Sequence, residues 1–124
     1  MRELIAALEK MPHIGKNFVY SEDQLSVTLD AFSQARLESI AKRHGLRKKE
    51  KKLPGYALVF EPQKPGENFG QVIQIALRKN IGEHMRGKTI FDVRTAVQIH
   101  PFWRERIIKF FDALKPTSLK VVKT

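Results

Sequence analysis

The chain has 124 residues, room for one ordinary domain, and 42% hydrophobic against 29% charged residues is a globular balance rather than a disordered one. It contains no cysteine, which excludes a disulfide scaffold, a thiol nucleophile and any cysteine-based zinc or iron–sulfur site. Lys and Arg number 23 against 13 Asp and Glu, and the net charge of +10 points to a polyanionic partner.

Met1, Leu4, Ile5, Leu8 and Met11 recur at helical spacing, and Pro12 ends that helix. An acid in the first turn, with no long apolar core, argues against a secretory signal. No apolar stretch approaches the ~20 residues of a membrane span, so the expected location is cytoplasmic or otherwise intracellular. Ser21 and Gln24 could open a capping box for a long helix to His44, but Arg36 and Arg43 would then fall within its apolar stripe. The alternation of Leu25, Val27 and Leu29 favours a hairpin, 17–20 with 25–29, followed by a helix over about 31–44. That helix carries Leu37, Ile40, Ala41 and His44 on one side, with Gly45 as a left-handed stop.

Residues 56–60 read as a strand. Asn68 and Gln71 resemble a cap, and Phe69, Val72, Ile73, Ala76 and Leu77 then form a helical stripe to about Asn80. Ile90 to Ile99 fits a short helix or a strand, and the helix is preferred. His100-Pro101 opens the strongest helix, whose buried face is Trp103, Ile107, Phe110, Phe111 and Leu114. Residues 118–122 suggest a last strand. The expected fold is α+β: a single compact domain, 1–124, with about five helices and a small sheet of three or four short strands.

Residues 42–52 hold seven cations, Lys42, Arg43, Arg47, Lys48, Lys49, Lys51 and Lys52, against the single anion Glu50. Like charges at this density repel, so a flexible basic loop is expected at about 45–54. Each phosphate neutralised by Lys or Arg releases condensed counterions, which makes such a segment a grip for nucleic acid. Arg78, Lys79, Arg86 and Lys88 are auxiliary candidates. The leading expectation is therefore a small, non-enzymatic protein that holds the phosphate backbone of DNA or RNA, with no cofactor, no metal and no membrane partner. Sequence specificity and oligomeric state are left open.

Two alternatives stand beside it. A metal-independent ribonuclease needs a base, an acid and a cation, for which His84 with Arg86 and Lys88, or His13 near Lys16, are the candidates. An interaction module would dock an acidic protein on the same basic loop. Three weaker patterns also occur. Leu37 to Leu46 resembles the first half of a helix-turn-helix, with the expected second helix replaced by charge. Phe18 and Tyr20, with Tyr56 and Phe60, could offer rings to bases, against the plainer reading as core. Residues 82–89, Gly-Glu-His-Met-Arg-Gly-Lys-Thr, satisfy a phosphate-loop string, which requires a strand before it and a helix after it.

Overall fold

The structure, a computed structural model, describes residues 1–30, 34–51, 53–64, 66–79 and 88–115. Its elements in chain order are α1 (Arg2–Glu9), β1 (Val19–Tyr20), β2 (Gln24–Asp30), α2 (Gln34–Arg43), β3 (Leu46–Lys48), β4 (Tyr56–Pro62), β5 (Gln74–Arg78), β6 (Lys88–Arg94) and α3 (Pro101–Ala113). The six strands form one antiparallel sheet in the order β1-β2-β6-β5-β4-β3. Strands β3 to β6 follow one another as a meander, and α2 carries the chain from β2 to the far edge.

Side chains alternate across a strand, so register decides which residues share a face. Leu25, Val27 and Leu29 lie opposite Val93, Phe91 and Thr89, and Ile75 and Leu77 lie opposite Val93 and Phe91. With Leu58, Phe60 and Leu46 these residues form the inner face. The helices cover it with Leu4, Ile5 and Leu8, with Leu37, Ile40 and Ala41, and with Trp103, Ile107, Phe110 and Phe111. Helix α3 packs against both α1 and α2. Val59 and Ala76 are buried but stand outside this cluster, since register puts them on the sheet's opposite face.

The hairpin, the strand at 56, the first helix and the last helix form where the periodicity places them. Gly45 ends α2 with φ +77, and an added Cβ there would collide with the Arg106 guanidinium. Two expected helices do not form. Residues 68–79 hold a turn and β5, and Phe69 and Val72, two members of the supposed stripe, are 47% and 61% exposed. Phe69 itself has φ +54 and Gly70 φ +74, so helical backbone is already broken there. Residues 88–94 are β6, with Thr89, Phe91 and Val93 inward. The architecture is thus one α+β domain with three helices and a six-stranded sheet among the described residues, in place of five helices and a small sheet. Strand β3 begins directly after Gly45, where a helix-turn-helix would need its second helix, and that resemblance is removed. The suggested strand at 118–122 lies outside the described residues.

His100 caps α3: its Nδ1 accepts from the Phe102 N–H at 3.1 Å, Pro101 fills the first helical position, and its ring stacks on Phe69 at 4.0 Å. Replacing His100 with alanine is expected to cost about 1 kcal/mol, a fall of about 4 °C in a thermal melt. An unchanged melting temperature would show the cap to be dispensable.

Candidate functional site

The basic run is partly ordered structure. Lys42 and Arg43 are exposed in the last turn of α2, where cations complement the helix dipole. Two bonds dock the chain beyond them onto β4: the Gln63 N–H donates to Gly45 O at 2.9 Å, and the Lys49 N–H donates to Val59 O at 2.7 Å. The Gln63 side chain donates at 2.9 Å both to Lys42 O and to Leu46 O, tying the end of α2 to β3. The loop expected at about 45–54 therefore begins with edge strand β3, while Lys52 lies outside the described residues.

Arg47 pairs with Glu61 at 3.0 Å, and Lys48 with Glu38 at 3.6 Å. Both cations are more than half exposed, and such pairs are worth about 0–1 kcal/mol, so a phosphate can displace the carboxylate at small cost. Lys42, Arg43, Lys49 and Lys51 make no ion pair among the described residues. Arg47, Lys48, Lys49, Glu50, Lys51 and Glu61 line a surface groove of about 530 Å³. A second groove of about 600 Å³ runs between α2 and β3, and Arg47 and Lys48 line both.

The auxiliary candidates scatter. Lys79 is exposed, with its backbone N–H on Gly55 O at 3.1 Å. Lys88 begins β6 and pairs with Asp30 at 3.4 Å. Because a strand, not a helix, comes after residues 82–87, the phosphate-loop reading of that string is removed. Arg86 and His84 lie outside the described residues.

Arg78 belongs to a different arrangement, on the sheet face away from the helices. Its Nε donates to Asp92 Oδ2 at 2.8 Å and its Nη2 to Oδ1 at 2.9 Å. Ser26 Oγ donates to Oδ1 at 2.6 Å, and the Tyr56 hydroxyl to Oδ2 at 2.5 Å. Burial pushes the Asp92 carboxyl up, but the hydrogen bonds from Arg78, Ser26 and Tyr56 outweigh it and hold the group below its ordinary range. The bond to Asp92, then burial and the carboxylate's charge, raise the Tyr56 phenol. Asp92 and Ser26 carry no sequence signal, because four different strands supply this cluster. Arg94 carries none either: it is exposed, and register sets it between Gln24 and Gln74.

The described histidines hold backbone. His13 Nε2 donates to Phe111 O at 2.8 Å, and the neighbouring Lys16 ammonium donates to Met11 O at 2.7 Å. His44 Nδ1 donates to Ile40 O at 2.9 Å. The four ring candidates do not converge: Phe60 is core, Phe18 packs against the core, Tyr56 is bound to Asp92, and Tyr20 is exposed. Among the described residues no helix is long and apolar enough to cross a membrane. No family model, curated protein or solved structure matches the chain.

Proposed function

We propose that this domain binds nucleic acid through its phosphate backbone, at the sheet edge formed by β3 and the end of α2. The observation that carries this reading is the groove lined by Arg47, Lys48, Lys49 and Lys51, beside the exposed Lys42 and Arg43. Two carboxylates in the groove, Glu50 and Glu61, leave the cations in excess. Phosphate contacts position a protein on its ligand and carry no base information, so the expected binding is tight at low salt and indifferent to sequence.

A surface that meets five or six phosphates gives a log–log salt slope of about −4 to −5. Changing Lys48, Lys49 and Lys51 to glutamine is expected to flatten that slope by about two to three units. The measurement is fluorescence anisotropy on a labelled oligonucleotide across a salt series. An unchanged slope in the variant, or no binding by the native protein at low salt, would refute the reading.

A further inference from the structure

The sheet edge at β3 offers more than charge. In an antiparallel pair, residues that exchange both backbone bonds alternate with residues whose N–H and C=O point away from the partner strand. Gly45 O accepts from the Gln63 N–H and the Lys49 N–H donates to Val59 O, so Arg47, midway between them, is bonded to Glu61. Leu46 and Lys48 therefore turn their backbone groups to the free side of β3. At Leu46 the C=O is already taken, by the Gln63 side-chain amide at 2.9 Å. The Lys48 N–H and C=O have no partner among the described residues.

Side chains at this edge alternate in step with the backbone. Lys48 shares the helix-side face with Leu46 and Phe60, whereas Arg47 and Lys49 share the opposite face with Glu61 and Val59. A groove lies on each face. On the helix side, Ala41, Leu46 and Phe60 floor the groove of about 600 Å³. Those three are buried, so its walls are the aliphatic stems of Lys42 and Lys48, beside Glu38. On the other side, Arg47, Lys49 and Lys51 line the groove of about 530 Å³, with Glu50 and Glu61. A chain laid along Lys48 meets aliphatic surface with one side chain and cations with the next.

We propose that β3 accepts an extended segment of an acidic protein as a further strand, with the pattern acid–apolar–acid centred on Lys48. The central residue exchanges both backbone hydrogen bonds with Lys48, and its apolar side chain enters the helix-side groove. The acidic residues before and after it point to the opposite face, toward Arg47 and Lys49. Strand addition of this kind draws affinity from the backbone and specificity from alternate side chains. The inference stands on backbone groups that phosphate capture does not use, so it goes beyond the proposed function without resting on it. The two ligands share the cations of this edge, so each excludes the other.

The test measures anisotropy of fluorescein-labelled peptides of about seven residues, an ordinary strand length, at one low salt concentration. The first alternates glutamate with valine and leucine, and a sorted control of the same composition gathers its glutamates at one end. Two further copies of the first are N-methylated, one at every apolar residue and one at every glutamate. The proteins are the native chain and the triple lysine variant, with circular dichroism to verify the fold. The alternating peptide is expected to bind about tenfold more tightly than the sorted one. Methylation at the apolar residues removes the N–H offered to Lys48 O and should cost about tenfold, whereas methylation at the glutamates should cost less than about twofold. The lysine variant should weaken peptide binding, and the peptide should displace a bound oligonucleotide. No peptide binding, equal affinity for the alternating and sorted peptides, or equal losses from the two methylations overturns the added strand. Binding that the lysine variant leaves unchanged, or that fails to displace the oligonucleotide, places the peptide elsewhere and overturns the site. In each case the phosphate reading stands on the oligonucleotide alone. Failure of the oligonucleotide to bind removes that reading and leaves the added strand standing.

Discussion

Replacing Phe110 with alanine is expected to destabilise the domain by about 3–5 kcal/mol. Phe110 is fully buried, and its ring makes edge contacts with Phe111 at 5.2 Å, Phe91 at 6.0 Å, and Phe60 and His44 at 6.3 Å. Those partners come from α3, β6, β4 and the turn after α2, so one ring joins the last helix to the sheet and to the start of the basic segment. The loss combines the transfer free energy of the ring with a cavity that rigid aromatic neighbours cannot collapse to fill. Against a typical stability of about 5–15 kcal/mol this is at least about a fifth of the total. A denaturant titration should show a lower midpoint with an unchanged slope, and a shift equivalent to less than about 1 kcal/mol would contradict the account.

Asp92→Asn should have the second largest effect, about 2–3 kcal/mol. The carboxylate receives four short hydrogen bonds, whereas an amide offers one oxygen and turns an N–H₂ toward donors. Arg78 also loses its counter-charge. Its partial exposure lets water compensate, which places the loss below that of a fully buried pair.

The same cluster sets a pH profile. Asp92 is held below its ordinary range, so its stabilisation is complete above the unfolded carboxylate value near 4 and is lost as pH falls through the lower native value. The raised Tyr56 phenol works in the opposite sense: its contribution is complete below about pH 10 and is lost as pH rises through the higher native value. Melting temperature against pH should therefore carry an acid limb and an alkaline limb from this cluster. Asp92→Asn should remove both, and Tyr56→Phe only the alkaline one. Native-like limbs in both variants would assign them to other groups.

Some of this architecture is legible in the residues alone. Helix α3 announces itself through His100-Pro101 and an apolar stripe from Trp103 to Leu114, and β2 through Leu25, Val27 and Leu29. Strands β5 and β6 are concealed for different reasons. In β5, Ile75, Ala76 and Leu77 are all buried in a central strand, so alternation disappears. In β6, Ile90 lies opposite Thr28 on the open face and blurs the period set by Thr89, Phe91 and Val93. The density of the 42–52 run is legible too, but not that Glu38 and Glu61 come to meet two of its cations. The Asp92 cluster escapes such reading altogether: its partners lie 14, 36 and 66 residues away, and only strand register brings them together.

The two ends of the sheet are protected from pairing with another copy in different ways. Strand β1 is only two residues long, too short to template another chain, whereas β3 is three residues long, carries Arg47 and Lys48 and is followed by Lys49. These cations are expected to repel a second copy that would otherwise extend the sheet past β3. On the proposed reading, substitution with glutamine is expected to lift that repulsion together with the grip on phosphate, so weaker binding and poorer solubility should arrive in the same variant. Substitution with glutamate is expected to separate the two, because a negative edge still repels its own kind while it would reject the proposed nucleic-acid ligand.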